Sequence, residues 1–137
     1  MNRKKILVVD DDPVILRTLS LKLIGRGYDV MTASDGSEAV TSVRTERPDL
    51  ILLDLLFPPD VAHGGGVCWD GFLVMQWLKR MEEAVNIPII VITGGDPASY
   101  ESRAKQMGAA AFFHKPIDHD DLFEVISREL GEAVAAT

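Results

Sequence analysis

The sequence has few of the features that mark secreted or membrane-bound proteins. Its single cysteine, Cys68, cannot form a disulfide within the chain. Every apolar run is far shorter than the roughly 20 residues that cross a bilayer. Only the short apolar run 6–9 precedes the first acidic residues, which is too little for the core of a signal peptide. We therefore expect a cytoplasmic protein with no membrane anchor.

Positive charge is also scarce. The chain has 14 Lys and Arg residues against 21 Asp and Glu residues, which gives a formal net charge of -7. This balance repels phosphate backbones, so we expect no direct binding to nucleic acid. With 137 residues, 47% of them hydrophobic, the chain has room for one core and no second domain. We predict a single domain over residues 1–132 and a short tail over 133–137.

The chain does contain a repeated alternation of short apolar runs and helical stretches. Runs without polar alternation are typical of strands buried on both faces of a parallel sheet, and the weakest of the five is the second. They span 6–9, 28–32, 50–53, 87–92 and 109–113. Asp12-Pro13 and Asp96-Pro97 are typical helix starts. The pattern predicts an α/β fold, a doubly wound five-stranded parallel sheet with five helices.

Polar residues of catalytic type follow these predicted strands. Asp10 and Asp11 come after the first strand, Asp54 after the third, Thr93 after the fourth and Lys115 after the fifth. The carboxyl ends of parallel strands line the ligand crevice of such a sheet, so these residues should converge on one pocket. Three carboxylates in one pocket repel each other unless a hard cation neutralises them. The cluster therefore predicts a divalent metal site, with Mg²⁺ as the ion.

The same pocket holds the groups that phosphoryl transfer requires. Asp54 offers a nucleophile, Thr93 a hydroxyl and Lys115 a fixed positive charge for the phosphoryl oxygens. An aspartyl phosphate is a reactive mixed anhydride, which suits a signal that must be reversed. The residues therefore indicate a switch.

Four motifs extend this interpretation to a family. They are VVDDDP at 8–13, LLDLLFP at 52–58, VITGG at 91–95 and FFHKPI at 112–117. In this order and at strand ends, they resemble the motifs of response-regulator receiver domains of two-component phosphorelay systems. The resemblance covers nearly the whole chain. It implies the flavodoxin-like (βα)5 receiver fold of a stand-alone domain.

The resemblance also implies a role for each residue of the pocket. Asp54 would be the phosphoacceptor and a Mg²⁺ ligand, Asp11 a direct ligand, Asp10 a ligand mainly through water, and Leu56 a ligand through its backbone carbonyl. A second group would bind and report the phosphoryl group: Thr93 by rotation of its hydroxyl, Lys115 by its charge, and Phe112 as the aromatic switch residue. Phe112 lacks a hydroxyl, so its switching would work by packing alone. The Lys115–Pro116 bond is often cis in such domains.

The resemblance further implies partners. A sensor histidine kinase or a histidine phosphotransfer protein would supply the phosphoryl group, and a downstream protein target would receive the signal. The face formed by the fourth helix, fifth strand and fifth helix would bind that target or a second copy of the chain. The domain would not be an enzyme beyond catalysing its own phosphorylation and dephosphorylation. Whether the chain is a fragment of a larger regulator stays open.

The segment 58–70 departs from the family pattern. Asp70-Gly71 arrives about nine residues later than the usual short loop would place it. The added loop borders the predicted phosphorylation site. Three roles stay open for it: shielding the acyl phosphate from water, contacting a partner, or mobility alone, which the three glycines at 64–66 favour.

Alternative readings concern both the function and single residues. Asp10-x-Asp12 also resembles the first motif of haloacid-dehalogenase-type phosphatases, with Asp10 as nucleophile; against this, Asp54 would have no role. A constitutive scaffold is a third alternative. Gly94-Gly95 suits a plain turn and a phosphate-binding backbone equally. Trp69, Phe72 and Trp77 suit a docking patch less well than a core.

Overall fold

The computed structural model of the chain describes residues 3–55, 71–94 and 97–130, with the backbone only at 97–99. The elements in chain order are β1 Lys5–Val9, α1 Pro13–Gly25, β2 Asp29–Ala33, α2 Gly36–Glu46, β3 Leu50–Asp54, α3 Gly71–Arg80, β4 Ile89–Thr93, α4 Pro97–Gln106, β5 Ala111–His114 and α5 His119–Leu130. All strand pairs are parallel, in the order β2-β1-β3-β4-β5. The predicted fold, with five strands and five helices, is confirmed.

The sheet has a hydrophobic cluster on each face, because successive side chains of a strand point to opposite sides. In β1, Ile6 and Val8 pack in one cluster with residues of α1 and α5, whereas Leu7 and Val9 pack in the other with residues of α2, α3 and α4. The strands β3 and β4 are buried along their whole length. Burial on both faces explains why the central runs of the sequence show no polar alternation.

Helix α1 begins where its sequence signals predict. The Asp12 carboxylate accepts a hydrogen bond from the backbone N–H of Val14 at 2.9 Å, and Pro13 occupies the first helical position. The chain leaves the helix through Gly27, whose φ of 98° lies in the left-handed region that favours glycine. The cap predicted at Asp12 is therefore confirmed. The matching signal at Asp96 lies outside the described residues.

Two strands begin two residues later than their apolar runs suggest. Strand β4 starts at Ile89 rather than at residue 87, because Pro88 has no N–H and contributes only its carbonyl, which accepts from Ile51 N–H at 3.0 Å. Strand β5 starts at Ala111 rather than at residue 109. The N–H of Ala109 instead donates to Ala104 O at 3.0 Å and closes the end of α4.

The predicted aromatic group does not share one environment. Phe72 is buried, with 7% of its surface exposed, whereas Trp77 is 45% exposed. Trp69, the loop 58–70 and the tail 133–137 lie outside the described residues, and the domain limits at 1 and 132 stay a prediction. None of the described helices combines the length and the apolar content that crossing a bilayer requires.

Candidate functional site

The predicted site residues meet at the carboxyl edge of the sheet. Asp54 is the last residue of β3 and Thr93 the last of β4, while Asp10 directly follows β1 and its N–H donates to Ala33 O at 3.1 Å. Asp10, Asp54 and Thr93 are 3%, 4% and 0% exposed. Two carboxylates and one hydroxyl are thus buried together at the carboxyl edge of the sheet.

Lys115 joins the two buried carboxylates. Its Nζ lies 2.9 Å from Asp10 Oδ2 and 3.1 Å from Asp54 Oδ2, distances at which the ammonium group donates a hydrogen bond to each. Its backbone N–H donates to Thr93 O at 2.9 Å. The peptide bond to Pro116 is cis, as the resemblance implied. Through these hydrogen bonds, Lys115 connects the carboxyl ends of β1, β3 and β4 to that of β5.

A third carboxylate completes the site. One oxygen from each of Asp10, Asp11 and Asp54 lies within 4.8 Å of the other two, although Asp11 is exposed to solvent. The N–H of Asp12 donates to Asp10 Oδ1 at 2.9 Å and fixes the orientation of that carboxylate. Carboxylate oxygens at this spacing are the ligands that a small divalent cation prefers. The donor set therefore fits Mg²⁺.

The electrostatics of the site reflect this crowding. Burial raises the pKa of Asp11, and the negative charge of Asp10 raises it further. Burial lowers the pKa of Lys115, but the hydrogen bond to Asp10 and the charge of Asp54 outweigh it, so the pKa lies above its ordinary value. The ammonium is thus held in its charged form beside Asp54. Three carboxylates face one amine, which leaves negative charge for a cation to neutralise.

Gly71 packs directly behind the site, a role that the Asp70-Gly71 motif in the sequence did not indicate. Its N–H donates to Leu55 O at 3.2 Å. A Cβ atom at this position would lie 2.2 Å from the Cα of Leu55 and 2.7 Å from the carbonyl oxygen of Asp54. No side chain fits in that space, so the first turn of α3 can press against the end of β3 only because residue 71 is glycine.

The structure leaves some predicted residues away from the carboxylates or outside its described ranges. Phe112 lies in β5, partly buried, and packs against the cluster formed with α2, α3 and α4. Leu56, whose carbonyl is a predicted Mg²⁺ ligand, lies outside the described residues. Gly95, the second glycine of the Gly94-Gly95 pair, also lies outside them. The Asp12 carboxylate caps α1, so the second aspartate of the Asp10-x-Asp12 motif has a structural role.

Comparison with known proteins identifies the family that most of the chain resembles. Residues 6–127 match the family model described as the response regulator receiver domain. DivK, a polar-differentiation response regulator of Brucella anthropi, is 32% identical over 130 residues, which are 95% of this chain and 98% of DivK. PilH of Pseudomonas aeruginosa is 31% identical over 126 residues, covering 92% of this chain and 97% of PilH.

A solved structure and three longer relatives show the same similarity. The receiver domain of the sensor histidine kinase PA1611 of Pseudomonas aeruginosa superposes with a TM-score of 0.80 at 27% identity, covering 96% of this chain and 100% of that one; it has a magnesium ion coordinated in its active-site cleft. Three other curated relatives are longer transcriptional regulators. The chain spans 46%, 42% and 27% of their respective lengths. The phosphatase alternative receives no support from these similarities. The chain belongs to the response regulator receiver domain family, a family of signalling switches.

Proposed function

We propose that this domain accepts a phosphoryl group on Asp54 in a Mg²⁺-dependent reaction and signals through a phosphorylation-dependent protein contact. The observation that carries the proposal is the position of Asp54. Its carboxylate is buried at the end of β3, hydrogen-bonded to Lys115 and within 4.8 Å of the Asp10 and Asp11 oxygens. A nucleophile, a fixed positive charge and a set of metal ligands thus share one edge of the sheet.

The reaction proceeds by attack of an Asp54 carboxylate oxygen on the phosphorus of the donor. A new O–P bond forms while the bond between phosphorus and the leaving group of the donor breaks. Lys115 Nζ, which lies 3.1 Å from Asp54 Oδ2, then donates hydrogen bonds to the phosphoryl oxygens instead of the carboxylate. The Thr93 hydroxyl rotates toward the same oxygens, and Phe112 in β5 changes its packing in response. Water later cleaves the acyl phosphate and restores the carboxylate.

Asp11 and Asp54 are the proposed direct Mg²⁺ ligands, Asp10 a ligand through water, and the Leu56 carbonyl a further ligand. When bound, the ion neutralises negative charge that builds up on the phosphoryl oxygens. The three carboxylates of the set lie close enough together for this arrangement. The raised pKa of Asp11 supports it, because a cation removes the like-charge repulsion that contributes to the shift.

The proposed phosphodonor is a sensor histidine kinase or a histidine phosphotransfer protein. The proposed output is a contact with a downstream protein or a second copy of the chain through the face of α4, β5 and α5. The cytoplasm is the proposed location, which the single cysteine supports because an isolated thiol suits a reducing compartment. The extended segment 58–70 borders the proposed phosphoacceptor in sequence, and its role within this function stays open.

The test uses acetyl phosphate as donor, Mg²⁺, and intact-mass spectrometry with peptide mapping. The wild-type chain should gain one phosphoryl group on Asp54 only when Mg²⁺ is present, and Asp54→Ala should gain none. Asp29→Ala is the matched control, since Asp29 is an exposed carboxylate at the opposite end of the sheet. It should react like the wild type.

Two results would contradict the proposal. An adduct that survives in Asp54→Ala but is lost in Asp10→Ala, with steady release of phosphate, would mean phosphatase chemistry on Asp10. No adduct in any variant would mean a constitutive scaffold. Circular dichroism of each variant separates loss of chemistry from loss of fold.

A further inference from the structure

The side chains of helix α4 that the structure describes, at residues 100–106, bury little apolar surface. Among its residues 100–106, whose side chains the structure describes, only Ala104 is fully buried. Glu101 and Lys105 form a surface ion pair, 2.9 Å apart, that faces solvent. Because this segment buries little surface, we expect the loss of one of its contacts to shift it more readily than the loss of one contact in the core.

One of these contacts is an aromatic stack with α3. The ring of Phe72 meets the ring of Tyr100 edge to face, with centroids 5.6 Å apart and planes at 74°. The guanidinium of Arg103 lies over the same Phe72 ring, with Cζ 4.0 Å from its centroid. Edge-to-face pairs and cations over rings are both attractive arrangements. We call these three side chains the α3–α4 stack.

The α3–α4 stack is adjacent in sequence to the glycine that packs behind the proposed phosphoacceptor. Phe72 follows Gly71, whose backbone packs against Leu55 and the carbonyl of Asp54 with no room for a Cβ atom. A shift of the Asp54–Leu55 backbone therefore has to move Gly71, because close-packed atoms transmit displacement rather than absorb it. Phe112, the predicted aromatic switch residue, packs against the hydrophobic cluster that contains Phe72.

In the conformation described, Lys115 Nζ is hydrogen-bonded to Asp10 Oδ2 and Asp54 Oδ2, whereas phosphoryl transfer requires it to donate to the phosphoryl oxygens. We propose that the α3–α4 stack stabilises α4 in this conformation and thereby lowers the share of molecules that are ready for phosphoryl transfer. This inference rests on the proposed function and adds to it a regulatory contact. The stack therefore consists of positioning residues, which act by holding α4 against α3. Its members, Phe72, Tyr100 and Arg103, are not among the proposed Mg²⁺ ligands or phosphoryl-binding residues.

The energetic scale follows from the geometry. A cation over an aromatic ring at an exposed site contributes roughly 0.5–1 kcal/mol. If the phosphorylation-competent conformation lacks the contact, removing it should increase the population of that conformation about 2–5-fold. The rate of phosphorylation by a small donor should rise by the same factor while the competent state is a minor one.

The experiment compares the wild type with Arg103→Gln, Arg103→Lys and Phe72→Leu, each checked for fold by circular dichroism. Two quantities are measured: hydrogen exchange of the α4 amides without phosphodonor, and the rate of adduct formation with acetyl phosphate and Mg²⁺. Arg128→Gln is the matched control, because Arg128 is an exposed arginine near the end of α5. It removes the same charge away from Phe72.

We expect faster α4 exchange and an approximately 2–5-fold faster reaction in Arg103→Gln and Phe72→Leu. Arg103→Lys, which keeps a cation, should lie nearer the wild type, and Arg128→Gln should equal it. A wild type that reacts normally while Arg103→Gln reacts at the same rate or more slowly overturns this inference and leaves the proposed function intact. A wild type that takes no phosphoryl group overturns the proposed function and the inference with it.

Discussion

The two ends of the sheet both carry clusters of charged residues, but the clusters differ in composition and burial. The amino end has three basic and three acidic side chains around an open depression; these residues are Arg3, Lys5, Arg47, Asp29, Glu46 and Asp49. The carboxyl end has three carboxylates, which are Asp10, Asp11 and Asp54, and one amine, which is Lys115. The first cluster is balanced in charge, whereas the second is not.

Burial sharpens this difference. At the amino end, the Arg3 and Asp29 side chains are each about half exposed and 4.0 Å apart. Exposed pairs of this kind contribute about 0–1 kcal/mol, because water screens them. At the carboxyl end, Asp10 and Asp54 are almost fully buried. The buried, unbalanced charge favours a functional site at the carboxyl end, since such an arrangement costs folding free energy that a bound cation would offset.

The largest expected effect tests the two lysines that stand at opposite ends. Lys115→Ala should slow phosphorylation by acetyl phosphate on the order of 10²–10³-fold, the usual loss when one preorganised donor to the transferring group is removed. Lys5→Ala should leave the rate unchanged, because Lys5 lies at the amino end of the sheet, where its Nζ donates to the carbonyl oxygen of Glu46 at 3.3 Å. Intact-mass time courses measure both. Equal losses in the two variants would mean that the ends do not differ in function.

The next effect concerns two glycines. Gly71→Ala should destabilise the domain by about 1–3 kcal/mol, because its Cβ would overlap the Leu55 backbone. Gly25 lies at the end of α1, near the amino edge, and a Cβ there meets no atom within 4 Å. Gly25→Ala should therefore be neutral or stabilising by up to about 1 kcal/mol. Urea unfolding gives both values, and a Gly71→Ala domain as stable as the wild type would contradict the close packing.

The sequence predicts the fold and the convergence of the site because both depend on patterns that a chain carries locally. Apolar runs indicate buried strands, and parallel pairing sends their carboxyl ends to one edge. Asp10, Asp11, Asp54 and Lys115 therefore lie close together at that edge. The chemical roles of these residues, and of Leu56 outside the described ranges, stay predictions.

Contacts between elements distant in sequence could not be predicted in the same way. Nothing in the letters around Gly71 specifies that it touches Leu55, and the contact of Arg103 with Phe72 depends on how α3 and α4 lie against each other. The starts of β4 and β5 were misplaced for a related reason. Hydropathy does not indicate backbone hydrogen bonding, and strand starts depend on it: Pro88 has no N–H to donate, and the N–H of Ala109 donates to a carbonyl of α4.

A smaller effect tests the metal site. Mg²⁺ at ten times its dissociation constant should stabilise the folded domain by about 1.4 kcal/mol and raise its Tm by several degrees. Asp11→Asn should reduce this shift, because it removes a proposed ligand from the three-carboxylate set. Asp29→Asn, which neutralises a carboxylate at the amino end, should keep it. Thermal unfolding with and without Mg²⁺ decides, and an undiminished shift in Asp11→Asn would remove that residue from the ligand set.

The smallest effect concerns how the stability of the metal-free domain depends on pH through Asp11 at the carboxyl end. The folded state raises the pKa of Asp11 above its unfolded value of 3.8, chiefly through burial and then through Asp10. The folded state therefore binds more protons than the unfolded state in the range just above pH 3.8, so Asp11 lowers stability as the pH rises through that range.

Asp11→Asn cannot lose a proton and should escape this loss. Without metal it should be slightly more stable than the wild type at pH 7, within about 0.5 kcal/mol because water screens an exposed carboxylate. The difference should shrink to zero as the pH falls below 3.8. Saturating Mg²⁺ should reverse the sign at pH 7, since the wild type then gains a ligand contact that the variant lacks. Urea unfolding at several pH values measures the difference, and a variant less stable than the wild type without metal would show that Asp11 is not under repulsion.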